Sequence, residues 1–281
     1  MSFILSYIQV EQILQAQKEN KNSVTTSLDL GITKDQVDLN KLGVILPDGQ
    51  KLTWKNLQKI CKHQNRCYLI KDSTIAPIVI YSEKTNWVRT LYPTQSAPTT
   101  LVSGILMHRI KDTNPLEDTQ TKIKTLDSLQ GAIVLDTATG LGYTAIEVSK
   151  YASKIITVEL DPSAIEIANF NPYSQELFNN PKITQIVGDI REEVKKFESE
   201  YFTHIVHDPP TLKIAGELYS EEIYSDFYRV LKKSGKLFHY IGDPESEHGA
   251  MVTKGVIRRL KQVGFSKVEL KPKTFGLLAF K

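Results

Sequence analysis

Cysteines and long apolar runs are scarce in this chain of 281 residues. Its two cysteines, Cys61 and Cys67, are too few for a disulfide scaffold and fit a reducing cytosol. No apolar run approaches the roughly 18–20 residues that a membrane span needs. The N-terminal segment has neither the basic n-region nor the small-residue cleavage site of a secretory signal. We therefore expect a cytoplasmic protein that makes no membrane contact.

Metal-binding patterns are also lacking. The stretch 61–67 contains two cysteines and one histidine, which is one ligand short of a closed zinc site, and its spacing is untypical of zinc. Neither cysteine lies in the second half of the chain, where the motifs described below are found. We expect no bound metal and no covalent catalysis by a cysteine.

The charge of the chain is unevenly distributed. Hydrophobic residues make up 41% and charged residues 24%, which is near the globular average and excludes a disordered or fibrous protein. Of the net charge of +3, residues 1–115 carry +5 and the remainder carries −2. A mildly basic segment favours an anionic partner, although most such charge is a solvated surface. Nucleic-acid contact by the N-terminal part is therefore retained as one interpretation.

The first third of the chain has the pattern of a small α+β module, which we assign to residues 1–95. Apolar residues recur at helical spacing in 7–18, and a second short helix is predicted at 53–63. Strand-like runs separated by turn residues are predicted at 23–30, 43–46, 67–71 and 75–81. Proline, serine and threonine then become frequent, and residues 96–130 are predicted to be a connector, in which 99–109 is a strand candidate or an ordered arm.

The remaining residues, 131–281, alternate regularly between strands and helices. Strand cores are predicted at 133–135, 155–158, 183–187, 204–206 and 237–241, and helices at 143–151, 162–170, 191–197, 220–231 and 250–263. Nearly all-apolar strands separated by helices are typical of a parallel sheet covered on both faces. Two further strands, 267–270 and 274–280, are joined by a link too short for a crossover helix. The sequence therefore predicts an α/β, Rossmann-like domain with a seven-stranded, mostly parallel sheet and an antiparallel last strand.

One segment of this domain combines a strand, a glycine-bearing turn and a helix. Gly140 and Gly142 let the backbone approach a ligand at the N-terminal end of the helix. Glu159 ends the next strand, 19 residues after Gly140, at the spacing of a carboxylate that holds ribose hydroxyls. The stretch 140–145 also fits the dinucleotide fingerprint G-x-G-x-x-A. The acid at the end of the first strand, Asp136, disfavours a pyrophosphate and suits a cationic sulfonium or an ammonium.

A third acid, Asp189, follows the third strand of this domain. At that place it can read the amino group of an adenine. The alternative is structural, because Asp189 can cap the helix that begins nearby and Asp136 can cap its own turn. Three acids in register at successive strand ends favour the binding interpretation.

These residues resemble the class I S-adenosylmethionine-dependent methyltransferases over the last 160 or so residues of the chain, and they look most like a poorly characterised archaeal-type group. The resemblance implies S-adenosylmethionine as the cofactor. It places Asp136, Ala138, Gly140 and Gly142 around the methionine part, Glu159 at the ribose, and Asp189 with Ile190 at the adenine. The stretch 231–236 stands where that family often has a Leu-Lys-Pro-Gly-Gly turn.

The reaction site is predicted at the end of the fourth strand, in the segment Asp208-Pro209-Pro210, because chemistry in open α/β sheets takes place at the carboxyl ends of strands. This segment resembles the [Asn/Asp]-Pro-Pro-[Tyr/Phe] motif of amino-group methyltransferases. There the first side chain accepts a hydrogen bond from the target N–H, and the prolines stiffen the loop. The aromatic residue that stacks on a base is replaced by Thr211, which disfavours a nucleobase substrate.

Two further residues complete the predicted catalytic set, His207 and Tyr219. Imidazole titrates near neutrality and can assist proton transfer, but strand alternation points His207 away from Asp208. Tyr219 lies in a segment rich in acids, 217–224, which also resembles part of the aminopropyltransferases such as spermidine synthase. The Gly-Gly-Gly-Asp-Gly turn of those enzymes is absent here. The sequence does not decide whether His108, His239 or Tyr240 lines the site.

We therefore interpret the chain as a methyltransferase that moves the methyl group of S-adenosylmethionine to an amine nitrogen held by the Asp208 loop. The acceptor is left open among RNA, protein and a small amine. Aminopropyl transfer from decarboxylated S-adenosylmethionine is the first alternative. A non-catalytic RNA- or protein-binding subunit with a methyltransferase fold is the second.

Overall fold

The computed structural model describes residues 2–212 and 214–281. They form two compact units, one of residues up to Leu116 together with Ser163–Gln175, the other of Glu117–Pro162 and Glu176–Lys281. The strands of the first unit are β1 (Phe3–Leu5), β2 (Ser23–Thr26), β3 (Asp35–Leu39), β4 (Gly43–Ile45), β5 (Lys51–Thr53), β6 (Tyr68–Lys71), β7 (Thr74–Pro77), β8 (Val79–Tyr81), β9 (Val88–Tyr92), β10 (Thr99–Val102) and β11 (Ile105–Leu106). The strands of the second unit are β12 (Ile133–Asp136), β13 (Lys154–Glu159), β14 (Ile183–Val187), β15 (Phe202–His207), β16 (Leu231–Tyr240), β17 (Lys267–Lys271) and β18 (Gly276–Phe280).

The α-helices are, in chain order, α1 (Tyr7–Lys18), α2 (Trp54–Lys62), α3 (Pro115–Lys124), α4 (Tyr143–Ser149), α5 (Pro162–Asn169), α6 (Gln175–Asn179), α7 (Ile190–Glu193), α8 (Glu221–Val230) and α9 (Glu247–Val263). Single 3-10 turns lie at Pro172–Ser174, Val194–Lys196, Gly216–Tyr219 and Pro272–Thr274. Within the described part of the chain, none of these helices has the length and apolar character that crossing a bilayer requires.

The first unit contains small antiparallel sheets, in the orders β1-β6-β7, β2-β3-β4-β5 and β11-β10-β9-β8. Its two leading helices, α1 and α2, both begin with a capping box. The side chains of Ser6 and Thr53 accept hydrogen bonds from backbone N–H groups of the first turn, and the side chains of Gln9 and Asn56 accept from the N–H groups of Ser6 and Thr53. The two leading helices and the first two of these sheets share one apolar core that includes Leu5 and Leu57. The predicted α+β module has this architecture.

Some details of the first unit differ from the prediction. The run predicted as one strand at 75–81 is two strands, because β7 pairs with β6 and β8 pairs with β9 in another sheet. The strand predicted at 23–30 ends at Thr26, and β3 and β5 were not predicted. In the segment predicted as a connector, 96–130, the strand candidate at 99–109 contains β10 and β11, whereas α3 was not predicted. Short strands with few apolar residues carry too weak a periodicity to be recognised locally.

The second unit is built on a seven-stranded sheet in the order β14-β13-β12-β15-β16-β18-β17. The neighbours from β14 to β16 pair in parallel, whereas β18 is antiparallel to both β16 and β17. The predicted antiparallel last strand is therefore confirmed. The stretch 231–236, expected to be a turn, belongs to β16, with an irregular register opposite Phe202 and His204.

One face of this sheet packs on the last two long helices. Alternate strand residues such as Leu135, Ile205 and Leu237 share a core with Phe227 of α8 and Val256 of α9. Parallel pairing brings the carboxyl ends of β12, β13, β14 and β15 to one edge of the sheet. The predicted acids lie at these four strand ends or within two residues after them.

Candidate functional site

A fully buried carboxyl group, that of Asp136, ends β12. Thr157, its register neighbour on β13, donates a hydrogen bond of 2.8 Å to Oδ2. The other oxygen, Oδ1, is buried and has no hydrogen-bond partner among the described residues. Burial raises the pKa of Asp136 to about 8, and the nearby charges of Asp208 and Glu159 add to this, whereas hydrogen bonds from Thr157 and from the backbone of Ala138 oppose it. Burial therefore favours the protonated form of Asp136, and a cation placed beside it would favour the carboxylate.

The glycine turn after β12 is held by Glu159. The N–H of Gly140 donates to Oε2 of Glu159 at 2.9 Å, and the N–H of Asp161 donates to Oε1 at 3.0 Å. Gly140 has φ +53°, and a Cβ built on it meets no atom within 4 Å. A Cβ on Gly142 (φ +79°) would lie 2.7 Å from the Leu177 side chain. Gly142 thus packs closely on α6, while the open space at Gly140 fits a ligand against bare backbone.

Two predicted binding residues lie at the start of α7. Asp189 caps this helix, since Oδ1 accepts from the N–H of Arg191 at 3.0 Å, and it also forms an ion pair of 2.5 Å with that arginine. This is the structural alternative named above, and contact with an adenine remains a prediction. Ile190 is buried in the core, and Ala138 in the glycine turn is half-buried.

The predicted reaction residue, Asp208, directly follows β15 and keeps about a fifth of its side chain exposed, 21%. Its Oδ2 lies 2.7 Å from Nζ of Lys122, and the same Nζ lies 2.9 Å from Oδ2 of Asp118. The ring centroid of Tyr240 is 4.5 Å from this ammonium. Burial alone lowers the pKa of Lys122, but the charges of Asp208 and Asp118 outweigh it and raise that pKa. Lys122 is therefore a permanent cation beside the reaction residue.

Sequence reasoning missed Lys122 and Asp118, which lie in the segment predicted as a connector. The available signal was their i, i+4 spacing on a helix, a pattern that is common on solvated helix faces. Their burial, at 4% and 1% exposed, separates them from such surface pairs.

The two other predicted catalytic side chains, those of His207 and Tyr219, are buried. His207 donates through Nε2 to the carbonyl of Leu218 at 2.8 Å, so its Nδ1 accepts from Thr137 Oγ1 at 2.6 Å. Burial lowers the pKa of His207 to about 4. The hydroxyl of Tyr219 donates to the carbonyl of Pro210 at 3.1 Å and thereby holds the proline loop, in which Pro209 is also buried.

The three aromatic residues left undecided by the sequence lie in different places. His239 is fully buried and bonds through Nε2 to the hydroxyl of Tyr224 at 2.7 Å. Tyr240 lies against Lys122 and so beside Asp208. His108 belongs to the first unit, where its Nδ1 is 2.8 Å from Thr99 Oγ1.

The arrangement is suited to a cationic nucleoside. The unpartnered Oδ1 of Asp136 offers an acceptor to an ammonium group and, when ionised, a negative charge to a sulfonium, and the open backbone at Gly140 offers room for either. The residues present therefore fit a sulfonium nucleoside. Asp208 supplies a second acceptor close enough to influence the Asp136 proton.

The comparisons with known proteins point to one family. A model of the spermine/spermidine synthase domain matches residues 122–272, more than half of the chain. An uncharacterized protein of Methanocaldococcus jannaschii is 40% identical over the whole of this chain and 96% of its own length. Putrescine N-methyltransferase 2 of Nicotiana attenuata is 30% identical over 100 residues, which are 34% of this chain and 27% of that enzyme.

Solved structures of spermidine synthases share the fold. One, in complex with the transition-state analogue AdoDATO, has a TM-score of 0.61 and 22% identity over 75% of this chain and 77% of its own. Another, from Thermotoga maritima, has a TM-score of 0.56 and 21% identity over 74% of this chain and 75% of its own. The protein belongs to the spermine/spermidine synthase domain family, which indicates a transferase of the type that uses S-adenosylmethionine or its decarboxylated form.

Proposed function

We propose that the protein transfers the methyl group of S-adenosylmethionine to the nitrogen of a small amine. The observation that carries this proposal is the pairing of two acids at neighbouring strand ends. Asp208 is tied through Oδ2 to Lys122, and Asp136 presents a buried oxygen without a partner. One acid is thus suited to aim a nucleophile and the other to attract a cation.

The nucleoside would be held by the residues around the glycine turn. Gly140 gives it access to backbone, Gly142 lets the turn pack on α6, Glu159 accepts from the ribose, and Asp189 with Ile190 lies at the adenine. When bound, the sulfonium supplies an electrophilic methyl carbon with a good leaving group. Asp136 balances positive charge near that centre, because its proton is released readily when a cation arrives.

Asp208 acts on the amine. Its oxygen accepts the N–H of the neutral amine, which turns the nitrogen lone pair toward the methyl carbon. As the C–N bond forms and the C–S bond of the donor breaks, releasing S-adenosylhomocysteine, Asp208 takes up the proton that the methylated nitrogen loses. Pro209 and Pro210 fix the backbone of this loop, and Tyr219 holds the carbonyl of Pro210. His207 stays neutral and links the end of β15 to Thr137 and to the carbonyl of Leu218 by hydrogen bonds.

The acceptor class follows from charge and from what the loop lacks. Thr211 offers no ring on which a flipped base can stack, which disfavours nucleic acid. The carboxyl groups at this edge favour a basic nitrogen. Putrescine, named by the Nicotiana relatives, is the first small amine to test.

Aminopropyl transfer from decarboxylated S-adenosylmethionine is the second candidate, and family membership favours it. Against it stands the glycine turn, which reads Thr139-Gly140-Leu141-Gly142-Tyr143 and so has no acid where the spermidine synthases carry Gly-Gly-Gly-Asp-Gly. The two reactions differ in the donor, so a direct comparison of donors separates them.

The test measures donor binding and product mass together. Purified protein is titrated calorimetrically with S-adenosylmethionine, S-adenosylhomocysteine and decarboxylated S-adenosylmethionine. It is then incubated with each donor and with putrescine or a primary monoamine, and the products are identified by mass spectrometry. Asp208→Asn is the test variant, and Glu198→Gln, an exposed acid of the same unit, is the control.

We expect micromolar binding of the first two nucleosides and a product heavier by one methyl group. Asp208→Asn should lower the rate about a hundredfold or more with donor binding retained, while Glu198→Gln behaves as the wild type. An aminopropylated product would replace methyl transfer by the second candidate. No binding of any nucleoside would leave a non-catalytic subunit as the best account.

A further inference from the structure

We propose that Lys122, held in place by Asp118, is a positioning residue that gives the two oxygens of Asp208 different roles. This inference rests on the proposed function, because it concerns how Asp208 meets the amine. Lys122 holds Oδ2, and Oδ1 is left to accept the N–H of the nucleophile.

The ammonium group of Lys122 is contacted on three sides. Two carboxylate oxygens lie at 2.7 and 2.9 Å, from Asp208 and Asp118, and the ring of Tyr240 covers a third side at 4.5 Å. Its side chain is 5% exposed, so solvent does not compete for these bonds. A lysine in this setting has little rotational freedom, which is unusual for a long side chain.

The anchor is Asp118, one helical turn before Lys122 on α3. Its side chain is completely buried, and it pairs with the ammonium from the helix side. Because both partners belong to the same helix, Asp118 restrains the ammonium group independently of the loop that carries Asp208. Asp208 is therefore drawn to a cation that is already in place.

The consequence for Asp208 is a carboxylate with one occupied oxygen. Within the described part of the chain, its hydrogen bonding is limited to the contact of Oδ2 with Lys122. A carboxylate on a flexible loop would rotate and offer either oxygen. With Oδ2 engaged, the plane of the group is restricted and Oδ1 faces the incoming nitrogen in a constant direction, which is what an in-line displacement needs.

A purely structural ion pair is the competing explanation. It would make Lys122 important for folding and indifferent to the rate of transfer once the protein is folded. A positioning role instead lowers the rate constant of the transfer step and leaves donor binding intact. An arginine at 122, which keeps the charge and can still reach a carboxylate, should recover part of the rate.

The experiment compares variants of one helix in the full chain. Lys122→Met removes the ammonium at similar length, Lys122→Arg keeps the charge, and Lys124→Met changes an exposed lysine of α3 as the matched control. Since Lys122→Met removes the cation beside the buried carboxylate of Asp118, the double variant Asp118→Leu with Lys122→Met provides a version with an apolar helix face. Thermal melting reports folding, calorimetry with S-adenosylhomocysteine reports donor binding, and single-turnover rates report transfer.

For Lys122→Met and for the double variant we expect transfer about a hundredfold slower, with the dissociation constant of S-adenosylhomocysteine within about threefold of the wild type. Lys122→Arg should lie between these variants and the wild type, and Lys124→Met should match the wild type. A folded double variant with the wild-type rate would overturn the proposal. Loss of donor binding and rate together, without recovery in Lys122→Arg, would assign Lys122 a structural role only.

If the wild type transfers no group, the proposed function is refuted, but the arrangement of Asp118, Lys122 and Asp208, here called the ion triad, is not. The triad is then judged by a double-mutant cycle of Lys122→Met and Asp208→Asn, measured by thermal unfolding. An interaction free energy between the two substitutions would support the contact of Lys122 with Asp208 in solution. Strict additivity would remove it, because Lys122 would then not hold Asp208 in solution.

Discussion

Thr157 donates a hydrogen bond of 2.8 Å to Oδ2 of Asp136, across the first parallel strand pair of the large sheet. This bond connects the acid at the end of β12 to the strand that carries Glu159. It satisfies one oxygen of a fully buried carboxyl group and leaves the other, Oδ1, without a described partner. Asp136 is therefore held in place, yet it is costly to ionise until a cation arrives.

The stability of the protein should fall as the pH rises through the range in which Asp136 titrates. Its ordinary pKa of 3.8 is raised to about 8 in the folded protein. Between these values the folded state binds more protons than the unfolded state, so the free energy of unfolding decreases with pH. Asp136→Asn should remove this loss, about 1.4 kcal/mol for each pH unit within the range. Urea unfolding at pH 5 and pH 9 measures it, with Glu198→Gln as the control. An equal pH dependence in wild type and Asp136→Asn would contradict the prediction.

The opposite dependence is expected of His207. Burial lowers its pKa from 6.5 to about 4, so the folded state binds fewer protons than the unfolded state between these values. The stability that the neutral imidazole provides is present above pH 6.5 and is lost as the pH falls through about 4. His207→Gln should therefore lose less stability between pH 7 and pH 5 than the wild type does, even if it is less stable at both. The exposed His248→Gln serves as the control in chemical unfolding, and a slope unchanged in His207→Gln would count against this account.

A methyl group at Gly140 should impair nucleoside binding beyond its effect on folding. Gly140 and Gly131 both have positive φ, +53° and +71°, and a Cβ on either meets no atom within 4 Å. Alanine at each position should thus cost about 1–2 kcal/mol of stability from backbone strain alone. Only Gly140→Ala should weaken the binding of S-adenosylhomocysteine, by about tenfold or more, because only that methyl group would occupy the predicted nucleoside site. Equal affinities in the two variants would place the nucleoside elsewhere.

The two cysteines should be unreactive in the folded protein. Burial raises the pKa of Cys61 to about 11 and raises that of the fully buried Cys67 further. Since the thiolate is the reactive form, a thiol reagent such as Ellman's reagent should modify neither residue rapidly at pH 8. Both should react after unfolding in urea. Rapid modification of either residue in the native protein would contradict the prediction, and modification of the fully buried Cys67 would also show that the first unit opens readily.

The order of strands and helices in the second unit was predictable because it depends on local periodicity. Apolar runs between helical segments predict parallel pairing, and parallel pairing alone brings Asp136, Glu159 and Asp208 to one edge. The short strands of the first unit were less predictable. The boundary between β7 and β8 depends on which neighbour each strand finds, and a run of β-forming residues does not reveal that.

The sequence by itself determined the α/β domain, its antiparallel last strand and the acids at the strand ends, since these follow from the spacing of apolar residues, glycines and carboxylates along the chain. The tertiary structure decided which partners those acids have. Lys122 reaches Asp208 across 86 positions, and Thr137 reaches His207 across 70. Such contacts depend on how a folded sheet and helix place distant residues together, and no local pattern encodes them. Asp189 follows a strand and also precedes a helix that it caps. For that residue the sequence alone therefore left two interpretations open, a ligand contact and a helix cap.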